Sequence, residues 1–146
     1  MTTLRKIDFE ELISVLVAEH REMKERLARV RQAASARDFQ TASKALEALE
    51  ATFRQHIADE EGQVLRVLIS TYGVKGAQEE IKVFQQHRPI HELMEVVKKL
   101  ASMTPEEIAA QEQRLAALFE LHTSAEEASV FPRAERAHSE ASGSQV

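Results

Sequence analysis

The chain has 146 residues, a length typical of one domain that buries a full core without disulfide bonds. It contains no cysteine, which excludes thiolate zinc sites and iron–sulfur clusters and permits a reducing compartment. A net charge of −5 argues against a nucleic-acid partner. Because no apolar run approaches about 18 residues, we expect no membrane span. We also expect no secretory signal and a cytoplasmic location.

Four helical segments follow one another along the chain. Asp8 can cap the first and Asp38 the second, which Tyr72-Gly73 should end. The third ends near Ser102, and Thr104-Pro105 starts the fourth. This pattern predicts an all-α fold, an up-down-up-down four-helix bundle over residues 1–137.

Pro132 is expected to end or bend the fourth helix, since proline removes a backbone hydrogen bond. We expect residues 138–146 to form a polar, disordered tail. His138, which opens this tail, is read as a solvated surface residue. Nothing in the sequence indicates the oligomeric state.

The six histidines are the feature of the composition that needs an explanation. Five of them, with two glutamates, fill gaps in the apolar faces of the four helices. His20 stands alone on the first helix. The other helices carry pairs at i,i+4, which lie on one face, one turn apart: His56 with Glu60, His87 with His91, and His122 with Glu126.

A carboxylate in a core is costly unless it is paired or binds a metal. Seven nitrogen and oxygen ligands are too many for one ion and suit two ions bridged by the carboxylates. Such ligands are compatible with iron, manganese or zinc. The alternative, hydrogen-bonded core histidines without a metal, is disfavoured by their number. The pattern His-x3-Glu-Glu occurs twice, at His56 and His122. Each copy follows an earlier histidine, His20 or His87, which we call the isolated histidine of its hairpin, and His91 is an extra ligand outside this repeat. The repeat predicts two helix hairpins with the metals at their interface.

The ordered set His20, His56-x3-Glu60, His87-x3-His91 and His122-x3-Glu126, with the ending Glu-Glu-Ala-Ser-Val-Phe-Pro132, resembles the hemerythrin-like proteins of the HHE cation-binding group. The ferritin-like di-iron bundles differ, because their pairs run Glu-x-x-His. The resemblance implies two non-haem iron ions with an oxo or hydroxo bridge. It assigns His87, His91 and His122 to one iron and His20 and His56 to the other, with Glu60 and Glu126 bridging both.

Two positions depart from the family pattern. Pro89, between His87 and His91, should introduce a kink or a local bulge into the third helix, which bears on the geometry of His87. Classical oxygen-carrying hemerythrins use His-x4-Asp on the last helix, so Glu127 is an alternative to Glu126 as the second bridge.

The iron held by His20 and His56 would then keep an open position for O2 or another small diatomic or anionic ligand. We expect Leu16, Met23 and Phe53 to line it, between the first and second helices. O2 binding, storage or sensing is the first hypothesis for function. Turnover of peroxide or NO, or iron storage and delivery, is the second, so the sequence leaves open whether the protein is an enzyme. A fold-supporting metal in an interaction module is the third.

Overall fold

The computed structural model of the chain describes residues 2–143. Within them lie seven α-helices, π-helical turns at Glu60–Val64 and Glu126–Val130, and a 3-10 turn at Leu100–Ser102. In chain order the α-helices are α1 (Phe9–Ser35), α2 (Phe39–Asp59), α3 (Leu65–Gly76), α4 (Gln78–Phe84), α5 (His87–Val97), α6 (Pro105–Ala125) and α7 (Phe131–Gly143).

The helices form two hairpins that pack into one bundle. The first hairpin pairs α1 with the rod made of α2 and α3, and the second pairs α4 and α5 with the rod made of α6 and α7. Between the hairpins, α1 packs on α6 and α7, and α3 packs on α7. The predicted all-α bundle is confirmed, and residues 2–143 contain no strand. No helix in this range combines the length and apolar character needed to cross a membrane.

Helices start and end where short-range signals place them. Asp38 accepts a hydrogen bond from the Thr41 amide (3.2 Å), and Thr104 Oγ1 accepts one from the Glu107 amide (3.1 Å). These bonds satisfy donors that the first turn of a helix leaves free. Asp8 occupies the cap position of α1 without a side-chain capping bond. Gly73 has a φ of 74°, which interrupts the end of α3.

The two π turns begin at the glutamates of the two His-x3-Glu pairs. Buried residues recur there at every fourth position: His56, Glu60, Val64 and Leu68 in one rod, and His122, Glu126, Val130 and Ala134 in the other. In an α-helix a repeat of four drifts by about 40° per step, because one turn takes 3.6 residues. A π turn is wider and takes up this drift. The π turns therefore keep each carboxylate and the apolar residues after it on one buried face.

Pro89 divides the third rod into α4 and α5. In a continuous α-helix its ring would clash with the carbonyl four residues earlier, that of Gln85. The structure has a turn at Gln85–Gln86 instead, and α5 begins at His87. Pro89 thus lies in the first helical turn, where its missing N–H has no partner to lose. The kink expected from this proline is present, one turn before it.

Pro132 does not end the fourth rod. It is the second residue of α7, directly after the π turn, and α7 continues to Gly143. The tail expected from residue 138 onward is therefore helical over 138–143, and residues 144–146 lie outside the described residues. His138 is half-buried rather than solvated, with its ring stacked on Phe9 at a centroid distance of 4.6 Å.

Two apolar clusters fill the bundle, one on each side of a layer of polar side chains. One includes Met23, Phe53 and Phe119, and the other includes Leu16 and Phe131. On α1, His20 lies between Leu16 and Met23, one turn from each. The polar layer is therefore enclosed by apolar side chains along the bundle axis, in surroundings of low dielectric.

Candidate metal centre

Six buried side chains from the two hairpins meet in the polar layer. They are His20, His56, Glu60, His87, His122 and Glu126. Their ligand atoms form two overlapping groups of four, and within each group all atoms lie within 4.8 Å of one another. Glu60 and Glu126 belong to both groups. We call His20 with His56 the first metal position, and His87 with His122 the second.

The carboxylates connect the hairpins. Glu126 Oε1 lies 3.0 Å from His20 Nε2, and Glu60 Oε1 lies 2.8 Å from His87 Nε2. Each glutamate thus reaches the isolated histidine of the other hairpin. Within the hairpins, Glu60 Oε2 is 3.1 Å from His56 Nε2, and Glu126 Oε1 is 3.2 Å from His122 Nε2. Every Nε2 atom therefore faces a carboxylate that both groups share.

The opposite ring nitrogen of each histidine is held from outside the centre. His20 Nδ1 donates to Glu127 at 2.8 Å, and His87 Nδ1 donates to Glu61 at 3.2 Å. His56 Nδ1 donates to Glu19 at 2.9 Å, and His122 Nδ1 donates to Gln86 Oε1 at 3.0 Å. A proton fixed on Nδ1 leaves the Nε2 lone pair directed at the centre, the arrangement that metal-binding histidines use.

The donor set fits a metal better than it fits an all-protein core. Among the described residues, one side-chain atom on each of four ligands is buried without a hydrogen-bond partner: His56 Nε2, His122 Nε2, Glu60 Oε2 and Glu126 Oε2. Buried polar atoms are rarely left unsatisfied. All four belong to the two overlapping groups, so cations placed there would satisfy them together.

The metal-free centre attracts positive charge. Burial disfavours the charged form of His122, but the nearby carboxylates of Glu126 and Glu60, whose Oε1 atoms lie 3.2 and 3.9 Å from its Nε2, outweigh burial and raise its pKa to about 9. Burial likewise opposes the charge on His56, and attraction by Glu60 raises its pKa well above the ordinary value. The pKa of Glu60 is held well below its usual range, because His56 and hydrogen bonds outweigh burial. Without a metal, protons supply the charge that the carboxylates require.

His91 does not join the other expected ligands. Its side chain is 54% exposed, and its Nε2 lies 3.8 Å from Glu95 on the surface. The expectation that it faces inward was wrong, because α5 buries Ile90, Leu93, Met94 and Val97 after the break at Gln85–Gln86. From His87 the inward face continues at i+3, with Ile90, rather than at i+4. Six of the seven expected ligands therefore meet.

Leu16, Met23 and Phe53, which were expected to line one pocket, do not lie together around one cavity. All three are buried, but Leu16 belongs to one apolar cluster, and Met23 and Phe53 belong to the other. Phe53 meets the ring of His87 edge-on at 6.1 Å. Two rings that the sequence reading did not select lie closer, with Phe131 stacked on His20 at 5.6 Å and Phe84 on His87 at 5.5 Å.

The residues that orient the histidines were largely missed. Glu19 and Gln86 each directly precede an isolated histidine, so the internal repeat carried a signal for them. Glu126 lies in both groups, whereas Glu127 holds His20 from outside. Asp59 is also buried, and it accepts a hydrogen bond from the Arg5 amide at 2.9 Å. No local pattern links these two, since 54 residues separate them.

Comparison with known proteins identifies the family. The family model of the hemerythrin HHE cation-binding domain matches residues 11–85, which is just over half of the chain. The match contains His20, His56 and Glu60, and thus the whole contribution of the first hairpin to the centre. No curated protein and no solved structure matches the chain. The chain belongs to the hemerythrin HHE cation-binding domain family.

Proposed function

We propose that this protein binds two iron ions, one at each metal position, and takes up O2 or a related small ligand there. The observation that carries the proposal is the pair of overlapping four-ligand groups that share Glu60 and Glu126. Two imidazoles with a carboxylate are typical ligands of non-haem iron. The lack of cysteine is compatible with a reducing compartment, and we place the protein in the cytoplasm.

The expected iron with three histidines has no counterpart in this arrangement. Each position has two histidines and shares two carboxylates, so an ion that takes six ligands would find coordination sites left for a small ligand. When bound, two ferrous ions supply the electrons that O2 binding requires. The chain holds the imidazoles by their Nδ1 atoms and keeps bulk water out with its two apolar clusters. By limiting access of water and protons to the site, the apolar clusters favour release of the ligand as O2 over its loss as peroxide.

The proposal is tested by loading metal-free protein with Fe(II) under anaerobic conditions. We expect about two ions per chain, then O2 uptake and a new visible absorption band on exposure to air. A band that disappears on deoxygenation, with O2 recovered, supports ligand binding. An iron content near one per chain in folded protein would refute the two-ion centre.

One observation favours a second candidate function, turnover of peroxide or NO. A surface groove of about 630 Å³ reaches His87, and Glu61, Leu65, Phe84 and Arg88 are among the residues that line it. A ligand arriving there contacts His87, one of the two imidazoles of the second position. Catalytic loss of added peroxide or NO by the iron-loaded protein, with no reversible O2 uptake, would favour this function.

A further inference from the structure

Among the polar side chains that form the centre or hold its histidines, the two halves match at every residue except one. Glu60 and Glu61 in the first hairpin correspond to Glu126 and Glu127 in the second. The residue before the isolated histidine, however, is Glu19 in α1 and Gln86 before α5. At this place a carboxylate holds His56, whereas a neutral amide holds His122.

A carboxylate acceptor makes the imidazole above it a stronger metal ligand than an amide does, because its charge polarises the Nδ1–H bond. Glu19 is itself fixed. Its other oxygen pairs with the Arg5 guanidinium, which also lies 3.4 Å from Asp59 Oδ2. No charged partner of this kind reaches Gln86 among the described contacts.

The backbone supports the two isolated histidines unequally. His20 lies in the middle of α1, a helix of 27 residues. His87 is the first residue of α5, directly after the turn at Gln85–Gln86. Its side chain is 6% exposed, against 1% for His20 and His56, and it borders the groove described above.

From this asymmetry we propose that the first metal position retains its ion and that the second is the exchangeable one, which loses and regains metal through the groove at His87. The inference rests on the proposed two-ion centre. It differs from the sequence-based expectation, which gave the distinct role, an open position for a small ligand, to the iron on His20 and His56.

The test follows the release of Co(II), which reports on its ligands by visible absorption. Metal-free protein is loaded with two equivalents of Co(II) and then mixed with excess EDTA. We expect two phases of one equivalent each, with rates at least about tenfold apart, since changes in the partners of ligands shift metal affinity by about 10–100-fold. His122→Ala should keep only the slow equivalent, and His56→Ala only the fast one.

Two variants keep all six ligands, so they remain informative if a histidine variant fails to fold. Glu19→Gln should accelerate the slow phase about tenfold and leave the fast phase unchanged. Gln86→Glu should slow the fast phase. Glu22→Gln is the matched control, because it removes the same charge from α1 at a half-buried residue that pairs with Arg26 and bonds no histidine.

The outcomes separate this inference from the proposed function. Binding of fewer than two ions refutes the two-ion centre and the inference with it. Full loading followed by one release phase, or a slow phase that survives only in His56→Ala, overturns the inference alone. Equal effects of Glu19→Gln and Glu22→Gln would also overturn it.

Discussion

Replacing Glu60 with glutamine should abolish binding at both metal positions. Glu60 belongs to both four-ligand groups, so this one change removes a carboxylate from each. Glutamine keeps the length of the side chain and removes its charge, which is what draws His56 and His87 towards the centre. We therefore expect Glu60→Gln to bind no ion tightly, rather than one.

The size of the effect on stability follows from linkage. One ion that binds only the folded protein adds about 2.7 kcal/mol when free metal is 100 times Kd. In a chain near this size 1 kcal/mol changes Tm by about 2–4 °C, so each ion raises Tm by about 5–10 °C. Two ions should thus raise the Tm of the wild type by about 10–20 °C, and the Tm of Glu60→Gln should not respond.

Thermal unfolding followed by circular dichroism, with and without Fe(II) under anaerobic conditions, measures this difference. Glu61→Gln is the matched control, because the neighbouring carboxylate is 52% exposed and touches only the outer nitrogen of His87. We expect it to keep both ions, with affinity at the second position weakened about tenfold or more. An equal rise in Tm for Glu60→Gln and the wild type would show that Glu60 is no bridge.

Three further predictions concern the other hairpin, the metal-free state and a remote carboxylate. Glu126→Gln should lose both ions, while Glu127→Gln, which alters only the outer partner of His20, should keep them. Metal analysis of both variants checks this prediction. The reverse result would show that Glu127, and not Glu126, is the shared ligand. Because the pKa of His122 is raised from 6.5 to about 9, its contribution to the stability of the metal-free protein is complete below pH 6.5 and is lost as the pH rises to about 9. Urea unfolding of the metal-free protein at pH 6.5 and pH 9 should show this loss, and a flat profile would contradict it. Glu112 is buried with Oε2 unpartnered, and burial raises its pKa, so its charge opposes folding at neutral pH. Glu112→Gln should raise the free energy of unfolding by about 1 kcal/mol in chemical denaturation, and a loss of stability would contradict this reasoning.

The periodicity of apolar residues predicted the bundle, because each rod buries one continuous face. His20, His56 and His122 were found for the same reason: each fills a gap in an otherwise apolar stripe. The prediction for His91 was wrong because periodicity alone does not distinguish i+3 from i+4 after a break in a helix. Pro89 indicated such a break, and the structure buries the apolar Ile90 in place of His91.

The hydrogen bonds that hold the histidines from outside the centre could not be predicted from local sequence patterns. The pairs Glu19–His56 and Gln86–His122 join different rods, so their existence depends on how the rods are aligned. The π turns were equally hidden, although a buried repeat of four residues was present in both rods. Pro132 was expected to end or bend a helix, but it lies in the first turn of α7, directly after a π turn, where a proline has no helical N–H bond to lose.

The exchange of carboxylates between hairpins has a consequence for assembly. Each hairpin supplies two histidines and one carboxylate to its own position, and only the partner hairpin's carboxylate completes the set. The hairpins are joined covalently only where α3 ends at Gly76 and α4 begins at Gln78. This short tether gives the two ligand sets an effective concentration in roughly the millimolar range. Cleavage of the tether would convert metal binding into a bimolecular event, in which the ions hold two separate chains together.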